Sequence, residues 1–418
     1  MTVAVEPGRC PMHATPEIDL FESGTFATRD VHAVWRALRR EAPVSWHPVG
    51  DNGFWSVTRY DDVRHVLRDH GTFTSEQGSL LNLLGKGDPA GGRQMAVTDP
   101  PRHARLREPL QRALSVKEVE RDLPRIRSLV RELLAPMKDG GVFDFAAAMA
   151  AMPMAVIGSW MRLPRSDWPE LVRLTGASIA PDDPAYTGPD GPDRTLVRAH
   201  RELFAYFQDV VAERRTAPGD DLLGVLLGMR VDGVKLMPSE IVSNCYSLLL
   251  GANVTTAQPP SAALLELAGT DALADWAAHP DLLMSGVEEA LRWSSPAQHF
   301  MRYATRDVRI RDVTVHAGEA VVAWLASANR DEAVFSRPDT FDIRRRPNKH
   351  IAFGVGPHYC VGHTVARVVL RVLFQELLTG FADIEVAGEP VRLRSNFVAG
   401  FTSLPVTARG VTARGVRT

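Results

Sequence analysis

The sequence predicts a mainly α protein with a small β region, folded as one domain. Three observations carry this. Apolar residues recur at helical spacing through most of the stretch from Arg102 to Gly269. Strand-like alternation is confined to short pieces near Phe54, in "VRIRDVTVHAGEAVVAWL" (Val308–Leu325) and in "ADIEVAGEPVRLRS" (Ala382–Ser395). No internal repeat, low-complexity tract or linker divides the 418 residues, although that length alone allows two or three domains.

The elements follow in chain order. Residues 1–18 are Pro-rich and aperiodic and are expected to be a flexible arm. The arm carries Cys10 and His13, for which a metal-binding tail is the less favoured alternative. Residues 19–418 are expected to form the single domain. "FWSVTRYDDVRHVLRD" reads as a strand followed by a helix from Tyr60. "DLPRIRSLVRELLAPM" and "VRAHRELFAYFQDVVAERR" are amphipathic helices. Between helices, Ala180–Thr195 is rich in Pro, Gly and Asp and is expected to be a long loop. The Asp-Gly of "MRVDGVKL" either closes a hairpin or caps a helix. "LLLGANVTTAQPPSAALLEL" (Leu248–Leu267) reads as a long buried helix whose centre is a poor helix former, with small residues, an amide, two threonines and adjacent prolines.

A formal net charge of −2 gives no general electrostatic case for nucleic acid, so Arg344-Arg345-Arg346 is expected to be solvated surface. Cys10, Cys245 and Cys360 are far apart and form no disulfide framework, which suits a reducing cytoplasm. No window approaches about 18 continuous apolar residues, and "MTVAVEPGRCPMHATPE" lacks the basic start and apolar block of a secretory signal. A cytoplasmic protein without membrane attachment is the expectation.

The most informative segment is "HIAFGVGPHYCVGHTVARVVLRVLFQELL" (His350–Leu378). Gly354 and Gly356 precede Cys360, Gly362 follows it, and an apolar helix comes next. Unpaired N–H groups and the dipole at a helix start stabilise a thiolate. Glycines let the backbone pass close to something large and flat. Taken alone, Cys360 is more often a structural cysteine in a turn.

The surrounding pattern reverses that. "FGVGPHYCVG" resembles the haem-binding loop of the cytochrome P450 family, Phe-Gly-x-Gly-x-His-x-Cys-x-Gly, with Phe353, Gly354, Gly356, His358, Cys360 and Gly362 all matching. The resemblance extends from about Phe54 to Leu404. It implies the single-domain P450 fold, a triangular helical bundle around a buried haem b. It implies Cys360 thiolate as the axial ligand, whose electron donation favours O–O cleavage, with Phe353 packed beside the sulfur. Glu289 and Arg292 of "EEALRW" match the family's buried Glu-x-x-Arg pair, with one of Arg344, Arg345 or Arg346 as third partner. "TDPPRHARLREPLQRALS" matches a helix start that assigns His103 and Arg107 to the haem propionates, joined by Arg302 and His358.

With haem implied, "LLLGANVTTAQPP" resembles the long helix crossing its distal face. Gly251, Ala252, Asn253, Val254, Thr255 and Thr256 fill the family's Ala/Gly-Gly-x-Asp/Glu-Thr-Thr/Ser pattern, and Thr255 matches the threonine that hydrogen-bonds dioxygen at the haem. Val254 departs from it, standing where a proton-relaying carboxylate is usual. Water at a loosened backbone is the first expectation for the missing relay, and a changed reaction outcome the second. Pro259 and Pro260 cannot donate to the carbonyls of Thr255 and Thr256, which predicts a hydrated break costing about 3 kcal/mol per interior proline unless the freed groups find partners.

By resemblance, the substrate walls come from Leu80 and Leu83 in "EQGSLLNLLGKGDPAGGRQMAV", from the 180–195 loop, from Gln298, His299 and Phe300, and from Phe397 and Phe401. The chain has no flavin or iron–sulfur motif. The resemblance therefore implies external electrons, ultimately from NAD(P)H, through a ferredoxin reductase and a ferredoxin docking near Arg112, Lys349, His363, Arg367 and Arg371. It implies a monomer that uses O2 to hydroxylate or epoxidise an organic small molecule, a tailoring step in bacterial secondary metabolism. The alternative is radical C–C or C–N coupling of phenols or indole diketopiperazines without oxygen insertion.

Overall fold

A computed structural model describes residues 18–28 and 30–411. The expected arm over 1–18, with Cys10 and His13, lies outside these apart from its last residue.

Helices dominate, as the periodicity requires. Arg102–Ala113, Leu123–Leu134, Phe145–Trp160, Trp168–Ile179, Pro192–Arg214 and Pro238–Thr256 fill the middle of the chain, and His363–Gly380 follows the cysteine loop. Their starts are chemically marked. Asp144 accepts the Ala147 N–H (3.1 Å), and Pro238 opens its helix while Glu240 reaches back to the Met237 N–H (2.8 Å). One apolar core gathers the buried face of His363–Gly380 with Phe145–Trp160 and residues 263–267. A second lies between residues 154–177, 199–211, 222–231 and 241–249.

The β region is a five-stranded sheet in the order Val44–Val49, Asn52–Val57, Ala320–Trp324, His299–Ala304, Phe73–Thr74. The Asn52–Val57 and Ala320–Trp324 strands run parallel, with Ala320 opposite Phe54, and the other pairs are antiparallel. Val321 lies opposite Arg302, which fixes the register of the strand that reaches the site.

Three expectations are sharpened. "MRVDGVKL" is a hairpin: Arg230–Val231 pairs with Val234–Lys235, and Asp232 and Gly233 both have positive φ (54° and 78°), as a two-residue hairpin turn requires. The loop after Ala180 stops at Gly191, because Pro192 opens a helix whose Thr195 hydroxyl accepts the Gly188 N–H (2.9 Å) and donates to the Gly191 carbonyl (2.8 Å). The long central helix divides into Pro238–Thr256 and Gln258–Leu267 with a turn at Ala257. Ala257 keeps helical dihedrals (φ −68°, ψ −24°), so the interruption is slight. The two prolines sit in the first turn of the second helix, where a missing N–H costs nothing, so the penalty of an interior proline does not arise.

Candidate functional site

A cavity of about 590 Å³ lies at the meeting of the two cores and the sheet, within the size range of small-molecule sites. Cys360 lies on its wall, half-buried. The loop before it needs its glycines. Gly354 and Gly356 hold φ of +70° and +75°, and a Cβ on Gly356 would stand 2.8 Å from the Leu67 carbonyl oxygen. The Cys360 N–H donates to the Phe353 carbonyl (2.9 Å), closing the loop on itself. Burial pushes the thiol up, while the Gly362 N–H and the charges of Arg107 and Arg367 favour the thiolate. Phe353 packs under Arg367, whose guanidinium carbon is 4.5 Å from the ring centroid. Arg367 is held in turn by Glu288 (2.6 and 2.9 Å), which also meets His350 (2.9 Å).

His103, Arg107, Arg302 and His358 all line the same cavity. The His103 and His358 rings lie 4.4 Å apart. Their surroundings test whether a dianionic cofactor edge fits. Arg302 is buried, and its one hydrogen bond among the described residues is to its neighbour Met301 carbonyl (2.8 Å). Arg107 is buried with no hydrogen bond or ion pair among the described residues. Burial lowers Arg302 to about 10, against a partial offset from Asp99, and also lowers Arg107. His103 is lowered to about 3 by burial, then by the neighbouring His358 and Arg107. The nearest carboxylate is Asp99, 3.7 Å from His358 Nε2 and already accepting from the hydroxyl (2.7 Å) and N–H (3.1 Å) of Ser75. Buried cations without counter-charges are costly. Two propionates would supply what these four residues lack, so the site fits haem.

The opposite wall is the central helix. Gly251, Ala252, Val254, Thr255, Thr256 and Pro259 line the cavity, whereas Asn253 does not. Cys245, Leu249 and Asn253 recur every four residues on the face turned away from it. The Asn253 amide nitrogen reaches Met154 Sδ (3.5 Å) and Thr175 Oγ1 (3.4 Å), which makes it a packing residue and removes it from the expected catalytic set. The Thr255 hydroxyl donates to the Gly251 carbonyl (2.8 Å), a bond that loosens a helix locally. Val254 packs with Ala180, Leu393 and Val398, with Tyr186 and Phe397 among the residues packed against that cluster. At the break, the Gln258 amide nitrogen approaches the Val254 carbonyl (3.4 Å), and its oxygen accepts the Phe401 N–H (3.1 Å). The contact is to the Val254 carbonyl and not to the Thr255 and Thr256 carbonyls, where water is expected.

Of the expected substrate walls, Leu80, Leu83, Phe300 and Phe397 line the cavity, and Gln298, His299 and Phe401 do not. Strand geometry is the reason for His299. Alternate side chains of His299–Ala304 face opposite sides, so Phe300 and Arg302 point into the cavity. His299, Met301 and Tyr303 point away from it. His299 is fully buried against Trp324, with Nδ1 at 3.2 Å from the Asn396 carbonyl and Nε2 accepting the Leu81 N–H (3.2 Å). Gln298 donates to the Ser395 (3.1 Å) and Asn396 (3.3 Å) carbonyls, and Phe401 is spent on the core around Leu404. The loop after Ala180 contributes no lining residue; buried Asp183 ties it to the Arg394 N–H (2.7 Å) instead.

Glu289 and Arg292 are fully buried and joined by two 2.8 Å bonds. The third partner is Arg345, with Nε 3.0 and 3.1 Å from the two carboxylate oxygens. Arg344 pairs with exposed Asp275. The expected basic surface is partly neutralised, since Arg367 is bound to Glu288 and Arg112 lies 3.4 Å from Glu108. Sequence reasoning placed Asp88 within an expected wall segment without singling it out, and missed His200, Phe204 and Tyr246, which also line the cavity. His200 and Phe204 lie on one amphipathic helix and Tyr246 ahead of the central-helix motif, so only tertiary folding brings them together.

Three comparisons bear on this geometry. Residues 277–406 match the family model described as Cytochrome P450. The chain is 34% identical over 401 residues to Cytochrome P450 NovI of Streptomyces niveus, covering 94% of this chain and 97% of that one. Its structure is similar to that of P450 OxyD, involved in the biosynthesis of vancomycin-type antibiotics, with TM-score 0.84, 34% identity and coverage of 94% and 100%. It is also similar to Mycobacterium marinum cytochrome P450 CYP268A2 in complex with pseudoionone, with TM-score 0.86, 32% identity and coverage of 95% and 100%.

Proposed function

This chain belongs to the cytochrome P450 family, and from that premise we propose that it uses dioxygen to hydroxylate or epoxidise an organic small molecule. The observation that carries the proposal is one cavity with a thiol on one wall, four buried cationic or imidazole groups at its edge, and a small-residue helix with Thr255 opposite. Cys360 would ligate haem iron, and His103, Arg107, Arg302 and His358 would hold the propionates. Haem so bound supplies the oxidising chemistry.

The chain's own residues do the rest. Gly251 and Ala252 leave space above the cavity floor. The Thr255 hydroxyl can turn from the Gly251 carbonyl and present a proton from Oγ1. Val254 lines the cavity and can carry none. The lining is otherwise mostly apolar, which excludes water from the substrate and orients it by shape. Electrons would come from NAD(P)H through a ferredoxin reductase and a ferredoxin. The part of P450 OxyD in antibiotic biosynthesis supports a tailoring step in bacterial secondary metabolism. The proposed enzyme acts as a cytoplasmic monomer.

Val254 favours a second reading, in which the enzyme removes two hydrogens from aromatic substrates and joins two ring positions without inserting oxygen. A single experiment separates the two. Natural-product scaffolds that shift the haem spectrum are turned over and the products weighed. A gain of one oxygen supports the first reading, and loss of two hydrogens with no oxygen overturns it in favour of the second. Absence of the red-shifted band in the reduced, CO-bound protein overturns both.

A further inference from the structure

The cavity wall is mostly apolar, with neutral polar groups such as Asn82 and Gln94 and the cations Arg107 and Arg302. Among the described residues, Asp88 is the sole carboxylate on its wall. One oxygen accepts the Ala90 N–H (2.8 Å), and no described cation pairs with the group. The same wall carries three rings, and the Asp88 charge acts on two of them, His200 and Tyr246. Phe204 and Tyr246 stack at 4.8 Å between centroids, and His200 meets Tyr246 edge-on at 5.8 Å. Burial lowers His200 although Asp88 acts to raise it, so at neutral pH the imidazole leaves the carboxylate's charge unanswered. Tyr246 is pushed up by burial and stays a neutral phenol.

We propose that Asp88, His200, Phe204 and Tyr246 form a recognition site for the cationic amine end of the substrate. An unpaired carboxylate beside aromatic faces is the arrangement that binds an ammonium, by charge and by cation–π attraction. His200 and the Tyr246 hydroxyl add neutral hydrogen-bonding partners. The site also sets a length. Tyr246 and Thr255 are nine positions apart on one helix, about 13 Å at the α-helical rise. The substrate is therefore elongated, with its charged end roughly that far from the carbon oxidised near Thr255.

This rests on the oxidative function proposed above, and the test keeps the two apart. Three probes share one aryl scaffold and end in trimethylammonium, tert-butyl or carboxylate. The quaternary end cannot ligate iron, and it differs from tert-butyl in charge alone. Binding to the haem-loaded protein is measured by calorimetry and by the spin-state shift. The trimethylammonium probe should bind about tenfold tighter than the tert-butyl probe, and the carboxylate probe weakest. Asp88→Asn, which keeps the Ala90 contact, should erase the preference and leave tert-butyl affinity unchanged. Equal binding of the two isosteres, a preference that survives Asp88→Asn, or no binding of any probe to protein with an intact CO band overturns the proposal. Tight, charge-selective binding followed by no oxidation under full electron supply would overturn the oxidative function alone.

Discussion

At the scale of single residues, the site is kept in shape by groups that touch neither cofactor nor substrate. Glu288 links His350 and Arg367, and Arg367 covers Phe353 beside the cysteine loop. Burial acts to raise the Glu288 carboxyl, but the bonds from His350 and Arg367 outweigh it and hold it at about 2. A carboxyl depressed in the folded state stabilises above its unfolded value, about 4.3, and that stability is lost as pH falls toward the folded one. The stability gap between wild type and Glu288→Gln should therefore be full at pH 6 and close between about pH 4.3 and 2, as read by urea denaturation at each pH. Glu289 differs in degree. Removing it leaves Arg292 and Arg345 buried without their counter-charge, so Glu289→Ala should cost about 3–5 kcal/mol in chemical denaturation. The cysteine motif and the Glu-x-x-Arg pair are legible in sequence because each is local. Arg345 could not be chosen from three consecutive arginines, since the choice depends on a turn that brings Ser336, Arg337 and Thr340 carbonyls round its guanidinium.

At the scale of elements, periodicity decides what sequence can assign. The helical stretches and the three strand-like pieces were legible, and so was the oddity of the central helix. What was not legible is which face each element turns. Asn253 and His299 stand within motifs or next to lining residues, yet a helix turn and a strand pleat point them away from the cavity. The interruption at Ala257 is spanned by a residue that the sequence did not single out, Gln258. Its amide serves the Val254 carbonyl and the Phe401 N–H together, and Gly400 makes room for it: a Cβ there would lie 2.1 Å from the Gln258 side-chain oxygen. Gln258→Leu should cost about 1–3 kcal/mol, because two buried backbone groups lose their partner. Gly400→Ala should also destabilise, and most of its cost should vanish in the Gln258→Ala background. Additive losses in that double-mutant cycle would refute the contact.

At the scale of the whole molecule, the cofactor is part of the fold's electrostatics. Arg302 and Arg107 are buried with no hydrogen-bonded carboxylate among the described residues, so the protein alone carries charges that it offsets only in part, through Asp99 at Arg302. Haem binding should raise the melting temperature by an amount that grows with the logarithm of its affinity. Arg302→Met gives a sharper outcome. It should stabilise the haem-free protein, by removing an uncompensated charge, and destabilise the haem-loaded one by about 1–3 kcal/mol. Thermal denaturation of both forms of both proteins checks this, and a change of the same sign in both forms would contradict the propionate assignment.

His299 carries a consequence for how such an enzyme acquires new substrates. It sits behind the wall that Phe300 faces, and it joins the Leu81 amide on one side to the Asn396 carbonyl on the other. Leu80 and Phe397, next to those anchors in the chain, are both cavity residues. A change at Phe300 edits one contact with the ligand. A change at His299 re-sites two distant wall segments at once without touching the ligand, so the hidden neighbour is the coarse adjustment of the pocket and the visible one the fine.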